Sequence, residues 1–171
     1  MADQKITELT AHTAGLSTDD LLVFVNDPSG TPETKGTTLA NVVKWASYTP
    51  TLTATVTNPT IGNGALAGRY LQVGTIVFFQ ISWVFGSTSA AGDGSYSFAL
   101  PVTAAASSGG SWFARLLDAG TRYYGLGAFL NSTTTIGFAQ LDTSGAAVTH
   151  SSPITWATGD ALAISGFYEA A

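Results

Sequence analysis

The chain has 171 residues, no cysteine, and a formal net charge of −5 from six Lys plus Arg against eleven Asp plus Glu. This length suits one ordinary domain, or one domain with a small appendage, and the missing cysteines exclude disulfides, thiolate metal sites and cysteine nucleophiles. Only 10% of the residues are charged, and no basic cluster could neutralise consecutive phosphates, so nucleic acid is not an expected partner.

Neither a transmembrane segment nor a secretory signal is predicted. No uninterrupted apolar run approaches the roughly 20 residues that a membrane-spanning helix needs. The N-terminal MADQKITELTAHT lacks the basic region and the apolar stretch of a secretory signal. We therefore expect synthesis in the cytoplasm and no membrane partner.

The first 47 residues differ in composition from the rest of the chain. Nine of the seventeen charged residues lie within the first 45 positions, and the composition changes near Ser47-Tyr48-Thr49-Pro50. We predict a boundary there, between a small N-terminal α+β module (1–47) and a C-terminal β domain (48–171). The module is too small to bury much of a core, so it is expected to dock on another surface.

Within the module, a strand and a helix are predicted on either side of a turn region. Thr18 and the acidic pair after it are typical of a capped turn, which is followed by a strand from Leu21 to Val25. NDPSGTPETKG is rich in turn-forming residues, and Thr38 is expected to cap a helix over LANVVKW. The candidate docking residues are Leu21, Leu22, Leu39, Val42 and Trp45.

From Tyr48 onward the sequence predicts only β-structure. Runs rich in Thr, Val, Ile and aromatic residues alternate with Gly, Asn, Asp and Pro, and the spacing predicts an antiparallel β-sandwich or jelly roll. Tight turns are expected at Gly74-Thr75 and at Asp118-Ala119-Gly120. The predicted strands are Thr51–Val56, Arg69–Val73, Ile76–Phe85, Ser95–Leu100, Ser111–Leu117, Thr121–Leu130, Thr135–Leu141 and Ala161–Tyr168.

The strand from Ile76 to Phe85 carries apolar side chains on both of its faces. Its odd positions are all apolar, and its even positions are half apolar. Because successive strand residues point to opposite faces, one domain core can cover only one of these sets. Part of the second face is therefore expected to meet another surface.

No catalytic, metal or cofactor site is predicted. His12 and His150 lie in different modules, and neither has a second ligand at metal spacing. No G-x-S-x-G elbow is present. Four of the five carboxylates in the β domain occur in turn contexts, where aspartate is favoured because its oxygens bond to nearby backbone N–H groups. The five carboxylates are Asp93, Asp118, Asp142, Asp160 and Glu169.

The aromatic side chains of the β domain have two interpretations. Aromatic residues on an exposed strand can stack on sugar rings, whereas their spacing along strands also suits burial in a core or in a subunit interface. The candidate glycan contacts are Tyr123, Tyr124 and Trp156.

Three motifs in the first module resemble the N-terminal attachment module of tailed-bacteriophage tail fibres and related virion proteins. They are a K-I-[ST]-E-L opening at Lys5 to Leu9, a D-D-L-L strand at Asp19 to Leu22, and a T-x-x-x-[TS]-L-A-N helix start at Thr34 to Asn41. The β domain looks like a β-rich domain that recurs in phage minor tail, fibre and head-surface proteins. The long repetitive shaft of a typical fibre is missing, which favours a short appendage, a capsid decoration or a minor tail subunit.

The resemblance implies a non-enzymatic virion structural protein. Such a protein is anchored to capsid or tail proteins by its N-terminus and forms a homotrimer through its β domain. An alternative is a host-attachment adhesin that binds a receptor or a surface glycan. In a trimer, one side of the strand from Ile76 to Phe85 would meet the opposite sheet of its own domain, and part of the other side would meet neighbouring subunits. The candidate assembly residues are Ile76, Val77, Phe78, Phe79 and Trp83.

Overall fold

A computed structural model of the chain describes residues 21–26, 33–38, 43–106, 109–142 and 145–171. The chain divides into two compact units, residues 1–44 and residues 45–171. The boundary expected from the sequence lies three residues further along, after residue 47. The predicted lead segment, the capped turn at Thr18 and His12 lie outside the described residues.

The first unit contains a two-stranded antiparallel sheet formed by β1 (Leu21–Asn26) and β2 (Glu33–Thr38). β1 confirms the predicted first strand. The turn prediction was wrong from Glu33 onward, because this segment pairs with β1 in full register. Its threonines have branched side chains that favour extended backbone. Thr38, the expected helix cap, is the last residue of β2, and residues 39–42 of the predicted helix lie outside the described residues.

The second unit is a nine-stranded antiparallel sheet, which confirms the predicted mainly β, antiparallel fold. Each of the eight predicted strands is present, β3 is additional, and no helix occurs in the described part of the chain. The strand order is β3-β5-β6-β11-β8-β9-β10-β7-β4. The strands are β3 (Ala46–Tyr48), β4 (Leu52–Ala54), β5 (Ala65–Val73), β6 (Ile76–Val84), β7 (Tyr96–Ala99), β8 (Ser111–Asp118), β9 (Arg122–Ser132), β10 (Thr135–Gln140) and β11 (Ala161–Glu169).

Both predicted tight turns are present. Val73 and Ile76 are the last paired residues of β5 and β6, so Gly74 and Thr75 form a two-residue loop. Gly74 has a φ of 60°. Between β8 and β9, Gly120 has a φ of 77°, and the Thr121 N–H donates to the Asp118 carbonyl at 3.0 Å. Glycine adopts these left-handed conformations without a steric penalty, which is why the turns form at these positions.

The sheet curls so that its two halves face each other across one core. Trp83 on β6 and Tyr96 on β7 are separated by four strands in the sheet order, yet their ring centroids lie 5.5 Å apart. In a flat sheet the same five strand spacings would separate them by about 24 Å. The curl therefore gives this single sheet the two-layered packing that was predicted as a sandwich.

One face of β6 belongs to this core. Val77, Phe79 and Trp83 are at most 1% exposed, so they contact other parts of the same chain on every side. Their prediction as residues of an interface between copies was wrong, because the curled sheet already covers them. The even positions of β6 remain at the surface, and Ile76 and Phe78 are 38% and 40% exposed.

A buried carboxylate joins three segments near the start of β11. Asp160 is 1% exposed. Its Oδ1 accepts the Ala119 N–H at 2.8 Å, and its Oδ2 accepts the Ala157 N–H at 2.7 Å. Its carbonyl oxygen accepts the Phe85 N–H at 2.8 Å. The bond to Ala157 is the turn contact expected from the sequence, whereas the bond to Ala119 connects two distant turns.

Half-buried Tyr48 and buried Tyr168 differ in how their hydroxyl groups are satisfied. The Tyr48 hydroxyl has no hydrogen-bond partner among the described residues, and burial raises the pKa of Tyr48 above its usual value. The Tyr168 hydroxyl donates to the Val102 carbonyl at 2.6 Å and accepts the Val102 N–H at 3.2 Å. Burial, with a smaller contribution from Tyr70, raises the pKa of Tyr168 to about 12, partly opposed by the bond to Val102.

These two sites should respond oppositely to removal of the hydroxyl group. We expect Tyr48→Phe to leave the free energy of unfolding unchanged or to raise it by about 1 kcal/mol, since it removes a buried group without a partner. Tyr168→Phe should lower the same quantity by about 1–2 kcal/mol, because it leaves backbone groups of Val102 unsatisfied. Urea denaturation of both variants provides the measurement, and equal effects would contradict these assignments.

Candidate functional site

The candidate site is the outer face of the sheet, which we define as the solvent side of β5, β6, β11 and β8. These strands are neighbours in the sheet order, and the alternating burial of β6 and β8 shows that every second residue points outward. Two zones lie next to each other on this face, one apolar and one polar.

The apolar zone consists of side chains from β5, β6 and β11. Phe78 pairs in register with Leu71 on one side and with Phe167 on the other. Phe167 is 60% exposed, and its ring centroid lies 5.9 Å from that of Phe78. In the next row, Val73 pairs with Ile76, and both are exposed. We call these five residues the apolar strip: Leu71, Val73, Ile76, Phe78 and Phe167.

The polar zone is a groove of ≈ 670 Å³ beside the apolar strip. Its floor is made of small and polar side chains. Ser82 pairs with Ala67 on one side and with Ala163 on the other. In the next row Gln80 pairs with Ser165. Because most of these side chains are short, the floor of the groove lies close to the backbone of the sheet. The hydroxyl and amide groups on the floor can form hydrogen bonds with a bound molecule.

Arg69 lines one side of the groove and is held in place by two neighbours. Its Nε donates to the Gln80 Oε1 at 2.7 Å. Its guanidinium carbon lies 4.9 Å from the ring centroid of Trp45, which is within cation–π distance. Trp45 is 39% exposed, so this predicted docking residue lies at the surface and packs against Arg69.

Arg115 and Phe113 line the opposite side of the groove. The Arg115 guanidinium lies 5.0 Å from the ring centroid of Tyr123, which is 61% exposed. Phe113 is the most exposed large apolar side chain of the described residues, at 80%. The predicted glycan contact Tyr123 is therefore at the surface, beside the groove.

The other two predicted glycan contacts have different environments. Tyr124 is half-buried, and the Arg122 guanidinium lies 5.1 Å from its ring centroid. Trp156 is 7% exposed and lies 4.3 Å from the Trp83 ring, and its Nε1 donates to the Thr149 carbonyl at 3.2 Å. The prediction for Trp156 was wrong, because this ring completes the aromatic core.

The remaining docking candidates have no described side chains. Leu21 and Leu22 lie in β1, where the structure gives the backbone pairing. Leu39 and Val42 lie outside the described residues. The proposed docking role of this group stays a prediction.

One histidine lies close to a carboxylate. His150 Nδ1 is 3.0 Å from Asp93 Oδ1, and both side chains are solvent-accessible. The described part of the chain contains no cluster of three residues suited to binding a metal ion. Nor do the described segments include a helix with the length and hydropathy required to cross a bilayer.

The fold and the outer face define an antiparallel β protein with an apolar strip beside a polar groove. Comparisons of the chain with protein-family models, with curated proteins and with solved structures found no match. Sequence reasoning missed the two groove arginines. The signal that could have found them is the small number of cations in the second unit, which contains only Arg69, Arg115 and Arg122.

Proposed function

We propose that this chain is a non-enzymatic structural subunit of a bacteriophage particle, which forms a homotrimer through its β domain. The observation that carries the proposal is the exposed apolar strip on the outer face of the sheet. The resemblance of the first module to phage attachment modules supports a location in the virion. In this role, the N-terminal module binds a capsid or tail protein.

The strip is a suitable assembly surface because a single copy leaves it in contact with water. Val73, Ile76, Phe78 and Phe167 are between 38% and 60% exposed. Complete burial of such a side chain contributes about 1.5–3 kcal/mol, so covering the exposed part contributes roughly 1 kcal/mol for each. Several such contributions per copy favour an obligate interface, which resembles a domain core cut in half.

A double substitution tests the assembly surface. Phe78→Ser combined with Phe167→Ser removes the two largest side chains of the strip without touching the core. We expect the trimer to dissociate into monomers, as measured by sedimentation velocity. Val56→Ser is the matched control, because Val56 is 70% exposed and lies outside the strip. A double variant that stays trimeric, or a control that also dissociates, would overturn the proposed interface.

Host-surface glycan binding is a second candidate function. The observation that favours it is the position of two exposed aromatic rings, Phe113 and Tyr123, next to a groove with hydroxyl and amide groups. An outer appendage that also recognises the host is compatible with the structural role. Tyr123→Ser should weaken binding of the full chain to host surface glycans, whereas the same affinity before and after the change would count against this function.

A further inference from the structure

Positive charge is concentrated in the groove. Two of the three arginines of residues 45–171 line it, and none of its lining residues is acidic. The whole chain carries a net charge of −5, so the charge of the groove is opposite in sign to that of the chain as a whole. Neither Arg69 nor Arg115 forms an ion pair with a carboxylate among the described residues.

Both guanidinium groups are oriented by neighbours that do not neutralise them. Arg69 uses its Nε for the bond to Gln80 and packs on Trp45, and Arg115 packs on Tyr123. A guanidinium carries five N–H donors, so most of the donors of each group are left to a ligand. Because contacts to aromatic rings fix the side chains, a ligand would lose less free energy in ordering them.

The spacing of the two arginines sets the length of the ligand. β5 and β8 are separated by β6 and β11, and Arg115 lies opposite Ala163, two residues along from the row of Arg69, Gln80 and Ser165. Three strand spacings across and two residues along place the two Cα atoms about 16 Å apart in a flat sheet. The floor between them is formed by the small side chains of Ser82, Ala163 and Ser165. An extended ligand with negative charges at separated positions would reach both arginines, whereas a small anion would reach only one.

We infer that the groove binds a linear acidic oligosaccharide, whose carboxylates pair with Arg69 and Arg115. The sugar hydroxyls bond to Gln80 and to the two serines of the floor, and a sugar ring stacks on Phe113. This inference rests on the proposed role of the chain as an outer virion component that meets a host surface.

Two other anionic ligands fit the groove less well. Nucleic-acid binding depends on neutralising several consecutive phosphates, and only two cations, Arg69 and Arg115, line the groove. An acidic peptide binds most readily by adding a strand to a sheet edge, but β6 and β11 under the groove already have neighbours on both sides. A flat floor with hydroxyl groups beside an exposed aromatic ring suits a sugar chain better.

The test measures binding of the full chain to polygalacturonate fragments by isothermal titration calorimetry. The comparison ligands are the methyl-esterified, uncharged form of the same fragments and monomeric galacturonate. We expect the acidic fragments to bind, the uncharged form to bind at least about tenfold more weakly, and added salt to reduce the affinity. The inference would be overturned if the acidic fragments did not bind. It would also be overturned if the uncharged form, or the monomer on a molar basis, bound as tightly as the acidic fragments.

Charge-matched variants locate the site. Arg69→Gln and Arg115→Gln should each weaken binding of the acidic fragments by about tenfold. Arg122→Gln removes the same charge from a residue outside the groove and should change affinity less than about twofold. Equal losses in all three variants would overturn the assignment to the groove. The oligomeric mass of the arginine variants should match that of the unmodified chain, so loss of binding with an intact trimer separates this inference from the proposed assembly.

Discussion

Replacing Asp160 with alanine is expected to lower the free energy of unfolding by about 3–5 kcal/mol. The substitution leaves the N–H groups of Ala119 and Ala157 without acceptors, at positions where the carboxylate is 1% exposed. Ala119 and Ala157 are themselves exposed residues, so the cost is that of two lost hydrogen bonds to a charged group, about 1.5–3 kcal/mol each. The loss should also loosen the turn between β8 and β9, because among the described residues the bond to Ala119 is the one hydrogen bond between Asp160 and that turn.

Two further variants make this prediction specific. Asp160→Asn keeps the shape of the side chain but directs an amide N–H₂ toward one of the two donors. Its free energy of unfolding should therefore lie between those of the native protein and Asp160→Ala. The Asp118 carboxylate lies in the same turn and accepts no hydrogen bond among the described residues. Asp118→Asn should therefore shift the free energy of unfolding by less than about 0.5 kcal/mol. Stability is measured by urea denaturation; a loss below 1 kcal/mol for Asp160→Ala would contradict the assigned role.

Replacing Gly166 with alanine is expected to cost about 3 kcal/mol, because the indole ring of Trp112 lies against the glycine. A Cβ placed at Gly166 would be 2.6 Å from Trp112 Nε1, inside the van der Waals contact distance. The ring would have to move away from its T-shaped contact with Phe79, whose centroid is 5.2 Å away. The Nε1 bond to the Phe167 carbonyl, now 2.8 Å, would also be lost.

Gly125→Ala is the matched control for this substitution. Gly125 lies within β9, and a Cβ placed there meets no atom within 4 Å. The control should therefore be neutral or slightly stabilising, since alanine restricts the unfolded chain more than glycine does. Thermal unfolding followed by near-ultraviolet circular dichroism measures stability and the Trp112 environment together. Equal stability of the two variants would contradict the packing described here.

Local features of the sequence predicted most of the secondary structure. The alternation of apolar and polar residues identified the strands, and Gly74 and Gly120 identified two tight turns, because both signals arise from neighbouring residues. The β2 strand was missed because the nearby glycine and proline residues indicated a turn, and this signal was given more weight than the strand preference of the threonines. The strand pairing with β1 depends on contacts that no single segment contains.

The curl of the sheet explains the errors about individual side chains. Trp83 and Trp156 were assigned to surfaces, but strands that are distant in the sheet order fold over them. The groove was missed for a related reason. Arg69 and Arg115 lie on different strands, and they line the same groove only because β6 and β11 are inserted between those strands. Sequence spacing alone contains no information about that strand order.

The mass of the unmodified chain in solution tests the central claim most directly. Sedimentation equilibrium over a range of micromolar concentrations should give three times the chain mass of 17.6 kDa, because the apolar strip of each copy is then covered by its neighbours. A stable, folded monomer of 17.6 kDa throughout that range would contradict the account, since the strip would then remain exposed to water in the native protein.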